Sequence, residues 1–276
     1  MALTFKTAFK NEFFEALKPL GFQKVKQSNH PYLARVINGE IVEAVSFRGA
    51  YRPPKGYEVH IVEIGIASVY TDVMDMSTKA GSSGWFRDMD EYYGATLKPN
   101  GFERLRPQGS IPAIEFPKGD EQAMLTSVRE CAALAAGIIE PALGSVKDID
   151  SYFDWLVEHH MARLYIDIQN DLAASRLGGH YANNECLLWL MTSQPRDAEK
   201  EFMRSIKREM LMYEKRGDPR TEEQVFDHSL KQALPVLCQM QRRLMTEPEL
   251  REAALKKAGE RREQNLALLR RQGFDV

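Results

Sequence analysis

Apolar residues first recur at helical spacing. Phe5, Phe9, Phe13, Leu17 and Leu20 form one stripe, while Lys6, Lys10, Asn11, Glu12 and Lys18 face elsewhere. Gly21 is placed to end this helix, with Phe22 folding back on the last turn. Pro19 fits poorly in a regular last turn, so the α-helix is expected to stop about two residues before Pro19.

The period then changes to that of strands. Tyr32–Ile37 and Glu40–Phe47 are β-rich runs flanking Asn38-Gly39, a dipeptide that accepts the positive φ angles of a type I′ turn. A two-residue loop predicts Val36 opposite Ile41, Ala34 opposite Glu43 and Tyr32 opposite Val45. That register puts Leu33, Arg35, Ile37, Val42, Ala44, Ser46 and Arg48 together on the other face. After the Arg52-Pro53-Pro54-Lys55-Gly56 connector, the strand through Tyr57–Tyr70 shifts phase. Tyr57, Val59 and Ile61 alternate, then Val62, Ile64 and Ile66 do. The shift predicts a β-bulge near Ile61-Val62, the alternative being a central strand buried on both faces. Phe102–Leu105 and Ile111–Phe116 could pair across Gln108-Gly109, and Pro112 would hold the second of them to a sheet edge.

From Gly119 onward the pattern is helical. Asp120 is an N-cap for a helix carrying Met124, Leu125, Val128, Leu134, Ala135 and Ile138, stopped by Pro141. Ser151 with Asp154 resembles a capping box for a helix reaching Gly178-Gly179. Asn183 or Asn184 opens a short apolar helix with Leu187, Leu188, Trp189 and Leu190. Pro195 fits the first turn of a helix with Phe202, Ile206, Met210 and Tyr213 on one face, ended by Gly217. Asp218-Pro219 starts another, which Pro235 kinks or breaks. Thr246 caps a last helix running toward Arg271. The expected architecture is α+β: an antiparallel sheet backed by helices over residues 1–160, followed by an all-helical region over 161–276.

Composition narrows the function classes. The chain has 276 residues, 43% hydrophobic and 28% charged, with a formal net charge of −2. These values are ordinary for a globular protein and give no global attraction to nucleic acid or acidic membranes. No apolar run reaches the about 20 residues that span a bilayer. The first residues mix Lys, Asn and Glu with apolar side chains, unlike a secretory leader. Cys131, Cys186 and Cys238 are too far apart for a CxxC site and odd in number, so buried free thiols in a reducing cytoplasm are expected.

Several of these residues carry a resemblance. Phe9…Leu17-Lys18-Pro19-Leu20-Gly21-Phe22, Tyr32-Leu33-Ala34-Arg35-Val36, Ile41–Phe47 and His60–Ile66, with Trp85-Phe86-Arg87 and Glu140-Pro141-Ala142-Leu143…Ile149, are similar to the bacterial family called domain of unknown function 4304. The resemblance covers about residues 1–160 and rests on apolar spacing and a few Gly, Arg and Trp positions. That family has no agreed activity, so the resemblance implies no catalytic residue. The helical remainder departs from it.

The candidate ligand-binding set is Arg35, Ser46 and Arg48 on one hairpin face, with Trp85 and Arg87 after the Gly81-Ser82-Ser83-Gly84 stretch. Two guanidiniums side by side can hold a carboxylate or phosphate, and an aromatic loop can close over it. The competing reading is structural and carries more weight. It has the arginines paired with Glu58, Glu63 or Glu40, and Trp85 plugged into the core. His159 and His160 with Asp167 and Asp171 invite a metal reading, but the spacing is not that of HExxH and one helix cannot close a zinc shell, so no metal is assigned. Arg163 offers Asp167 an ion pair instead. No phosphate loop, dinucleotide fingerprint or nucleophile elbow is present, so neither a cofactor nor a catalytic residue is assigned.

The basic excess of the last helix (Arg251, Lys256, Lys257, Arg261, Arg262, Arg270 and Arg271) has no interleaved aromatics for base stacking and reads first as a solvated face. The expected function is therefore a non-catalytic binding or protein-interaction module whose partner is a protein or a small anionic ligand. An enzyme using the sheet face around Arg35 and Arg48 ranks second. Nucleic-acid association through the C-terminal helix ranks third.

Overall fold

A computed structural model describes residues 3–26, 33–50, 53–70, 113–159, 190–215 and 217–276. The fold is α+β. Helix α1 (Phe5–Leu17) is capped by Thr4, whose side chain accepts from the Thr7 amide. A 3-10 turn at Lys18–Leu20 carries Pro19, as its early helix end requires, and Gly21 closes it at φ 86. Strands β1 (Gln23–Lys24), β2 (Leu33–Ile37), β3 (Ile41–Gly49), β4 (Tyr57–Ser68) and β5 (Ile114–Pro117) follow. They form an antiparallel sheet, five-stranded among the described residues, in the order β1-β2-β3-β4-β5. Strand β5 is the last of that order among the described residues and ends on Pro117, whereas Pro112 lies outside them.

Helices α2 (Glu121–Leu143), α3 (Ile149–His159), α4 (Ala198–Lys215), α5 (Glu222–Val225), α6 (His228–Thr246) and α7 (Pro248–Gln272) complete the described elements. The chain divides into two compact units. One contains the sheet, α1, α2 and the return segment Asn265–Val276. The other runs from Asp148 to Gln264, so α3 belongs to it although it precedes residue 160.

In the first unit α1 packs on α2 and on the sheet. Phe9, Phe13 and Leu17 of α1 are fully buried, as are Leu33, Ile41 and Val45 of the sheet. Val42, Ala44 and Ile61 are also buried, although they alternate with those residues, so the central strands are covered on both faces. This explains the phase shift along β4. Its ladder with β3 is continuous from Ile41↔Ser68 to Gly49↔His60, and the expected bulge at Ile61-Val62 does not exist. A strand buried on both sides has no need to alternate.

The hairpin register also departs from expectation. Asn38 and Gly39 both have positive φ, and Glu40 N donates to Ile37 O at 3.0 Å, as a type I′ turn requires. Glu40 is nevertheless left out of the β2–β3 ladder, and its carbonyl accepts from Val69 N at 2.8 Å instead. Pairing therefore begins at Ile37↔Ile41 and continues Val36↔Val42, Arg35↔Glu43, Ala34↔Ala44 and Leu33↔Val45. The observed register sets opposite charges across the ladder and leaves neither opposite an apolar neighbour.

Helix boundaries moved for identifiable reasons. Pro141 sits inside the last turn of α2, which runs on to Leu143, and Leu134 is exposed, off the buried face of Met124, Val128, Cys131, Ala135 and Ile139. The cap of α3 is Asp148. Its Oδ1 accepts from Ser151 N at 2.8 Å and Ser151 Oγ accepts from Asp148 N at 3.0 Å, so Ser151 is the reciprocal member and Asp154 is free for another role. Asp197, not the Pro195 turn, opens α4 by accepting from Lys200 N. Thr221 with Gln224 forms the capping box of α5, in place of a start at Asp218-Pro219. Pro235 lies within a continuous α6. Thr246 ends α6 rather than opening α7, which begins at Pro248.

Candidate functional site

The observed register separates the arginine set. Arg35 stands opposite Glu43, on the face that packs against α1, whereas Ser46 belongs to the alternate phase and is fully buried. Ser46 and Arg48, two residues apart on β3, keep ladder positions on one face, but the expectation that Arg35 shares that face fails, because a one-residue shift in pairing moves every side chain of β2 relative to β3. Arg48 occupies the ladder position opposite Ile61. Trp85 and Arg87 lie outside the described residues, as do His160, Arg163, Asp167 and Asp171.

Arg35 is held internally. Its Nε donates to Glu43 Oε2 at 2.8 Å and its Nη1 to Leu20 O at 2.8 Å, where the turn after α1 leaves a carbonyl unpaired. Glu140 Oε2 of α2 lies 3.5 Å from both terminal nitrogens, and the guanidinium carbon sits 5.1 Å from the centroid of the Phe22 ring. Glu43 is 0% exposed. Burial pushes its carboxyl above the ordinary range, opposed by the Arg35 hydrogen bond and charge. One guanidinium thus ties together the 3-10 turn after α1, β2, β3 and α2. A Cβ at Gly144 would collide first with the Glu140 carbonyl oxygen and would also come within 2.7 Å of Glu140 Oε1.

His60 is similarly enclosed. Its ring stacks on Phe5 at 3.6 Å between centroids, meets Phe47 edge-on at 5.4 Å and lies 6.0 Å from Phe116. Burial lowers its pKa below the usual value, against the opposing pull of Glu58 at 3.4 Å. Burial pushes the Cys131 thiol up to about 12 and raises that of Cys238. Among the described residues no three His, Cys, Asp or Glu side chains are grouped to hold a metal ion.

In the second unit Arg196 binds Asp154 Oδ1 at 3.0 Å and Asp150 Oδ1 at 3.3 Å, and its guanidinium carbon lies 5.2 Å from the Phe153 ring centroid. Arg204 donates to the same Asp154 oxygen at 2.8 Å. Burial alone would raise the Asp154 carboxyl, but the two guanidiniums outweigh it and the net direction is down. The amide of Ser193 also donates to Asp150. This network fastens α3 to α4.

An open surface remains on α4. Phe202 and Ile206 point inward and are fully buried. Gly217, at φ 74, ends the helix, and Asp218 N returns to Tyr213 O at 3.0 Å, a left-handed reversal that brings Pro219 and Arg220 back beside the last turns. Arg220 is fixed there, its guanidinium carbon 3.8 Å from the Tyr213 ring centroid and one nitrogen 3.1 Å from Asp218. The result is a groove of about 370 Å³ lined by Lys207, Met210, Leu211, Glu214, Pro219 and Arg220. Leu211 is 47% exposed and Met212 36%. Lys207 and Glu214 are exposed, and neither is in an ion pair with a described residue. The sequence contained a signal for this surface, because Leu211 falls off the stripe Phe202, Ile206, Met210 and Tyr213.

No family model matches this chain, and no curated protein or solved structure does either. Among the described residues no helix is long and apolar enough to cross a membrane.

Proposed function

We propose that the protein is a non-catalytic interaction module whose binding surface is the α4 groove. The observation that carries this reading is a contrast. Among the described residues, Glu43, His60, Asp154 and Arg196 are enclosed or paired within their own units, whereas Met210, Leu211 and Pro219 line an open groove together with Lys207, Glu214 and Arg220. A concave apolar patch with a few polar groups at its rim is the form of surface that takes up another protein's side chains. The partner class is a polypeptide segment that inserts an apolar side chain beside Leu211.

The test uses thermal unfolding of the full chain in the presence of a panel of amphipathic helical peptides. At saturating ligand, wild type should gain stability and Leu211→Asp should not. If no peptide distinguishes the two proteins, the groove is not a binding surface for such segments.

A further inference from the structure

We propose that the segment which fills the α4 groove is α4 of a second copy of this chain, packed antiparallel about a two-fold axis. The inference rests on the reading of this groove as the binding surface and names its occupant. Lys207, Met210, Leu211 and Glu214 are spaced i, i+3, i+4 and i+7, so they form one stripe along the helix. The stripe has a cation at one end, an acid at the other and two apolar side chains between them. Lys207 precedes Met210 by as many residues as Glu214 follows Leu211.

A two-fold interface requires that if residue i meets j, then j meets i. Setting the axis between Met210 and Leu211 satisfies this. Lys207 of each copy then lies against Glu214 of the other, about 10.5 Å along the helix from its own Glu214. Met210 of each copy lies against Leu211 of the other. A parallel arrangement would bring Lys207 to Lys207 and Glu214 to Glu214, so the charges select one orientation. Leu211 is the knob, and the groove beside Pro219 and Arg220 is the hole it enters. Lys207 and Glu214 are exposed, and neither is in an ion pair with a described residue.

The test is sedimentation equilibrium of the full chain over a wide concentration range, for wild type, Lys207→Glu, Glu214→Lys and the double exchange Lys207→Glu/Glu214→Lys. Wild type should show a concentration-dependent monomer–dimer equilibrium. Each single reversal places like charges across the interface and should weaken dimerisation roughly tenfold or more. The double exchange restores opposite charges and should return it to within about threefold of wild type. Both residues are exposed, so the variants should fold, as circular dichroism would verify.

A wild type that stays monomeric at every concentration overturns the proposal, and so does a double exchange as weak as the single reversals. If wild type is monomeric yet a peptide stabilises it and not Leu211→Asp, the groove binds a different protein and only the self-association is lost. If neither occurs, both readings fall.

Discussion

Arg35 Nε lies 2.8 Å from Glu43 Oε2, directly across the β2–β3 ladder, in a pair whose carboxylate is wholly removed from solvent. Removing one partner of such a pair leaves the other charge buried and unpaired. Arg35→Ala should therefore cost about 3–5 kcal/mol in urea unfolding. The double variant Arg35→Met/Glu43→Leu, which removes both charges, should cost much less. A loss of under about 1 kcal/mol for Arg35→Ala, the range of exposed pairs, would show that the pair does not hold the four elements together.

His60 should make stability depend on pH near neutrality. Burial depresses its pKa below 6.5, so the unfolded chain takes up a proton more readily than the folded one. Its contribution is fully present above 6.5 and is lost as pH falls through the depressed folded value. The melting temperature of wild type should fall across that window, and His60→Phe, which keeps the ring contact with Phe5, should flatten this part of the curve.

Asp154 acts at lower pH. Burial pushes its carboxyl up, but Arg204 and Arg196 hold it below the ordinary 3.8. Its stabilisation is present above 3.8 and lost as pH falls through the depressed folded value. Asp154→Asn should lower stability at neutral pH and have less effect in strong acid. An equal effect at both ends would mean that the carboxylate charge is not what Arg196 and Arg204 use.

Asn265 Nδ2 donates to Val69 O at 2.9 Å, and Asn265 is fully buried. Its removal leaves a carbonyl at the end of β4 without that donor. Asn265→Ala should cost about 1–3 kcal/mol and should speed amide exchange at Val69, whose own N–H bonds Glu40 O. Unchanged exchange there would place the effect elsewhere.

The sequence by itself determined whatever depends on neighbouring residues. The α1 stripe, the early helix end forced by Pro19, the positive-φ turn at Asn38-Gly39, Asp120 as a cap and Gly217 as a stop are all local consequences of side-chain shape and backbone freedom. It also determined the α+β class, because the period changes once from strands to helices. Tertiary structure decided the register. Whether Glu40 joins the ladder depends on β4, which takes its carbonyl, and on Glu43 finding Arg35, and neither can be read from the turn dipeptide.

The same holds for β4, whose broken alternation means a bulge or two-sided burial according to what covers it. The arginine pair on one face was lost with the one-residue shift. The α4 groove exists only because the chain beyond Gly217 folds back to set Pro219 and Arg220 beside Leu211. Local rules fix which elements form. Which side chains end up together is set by contacts between residues distant in the chain, and those contacts are made only when the elements pack.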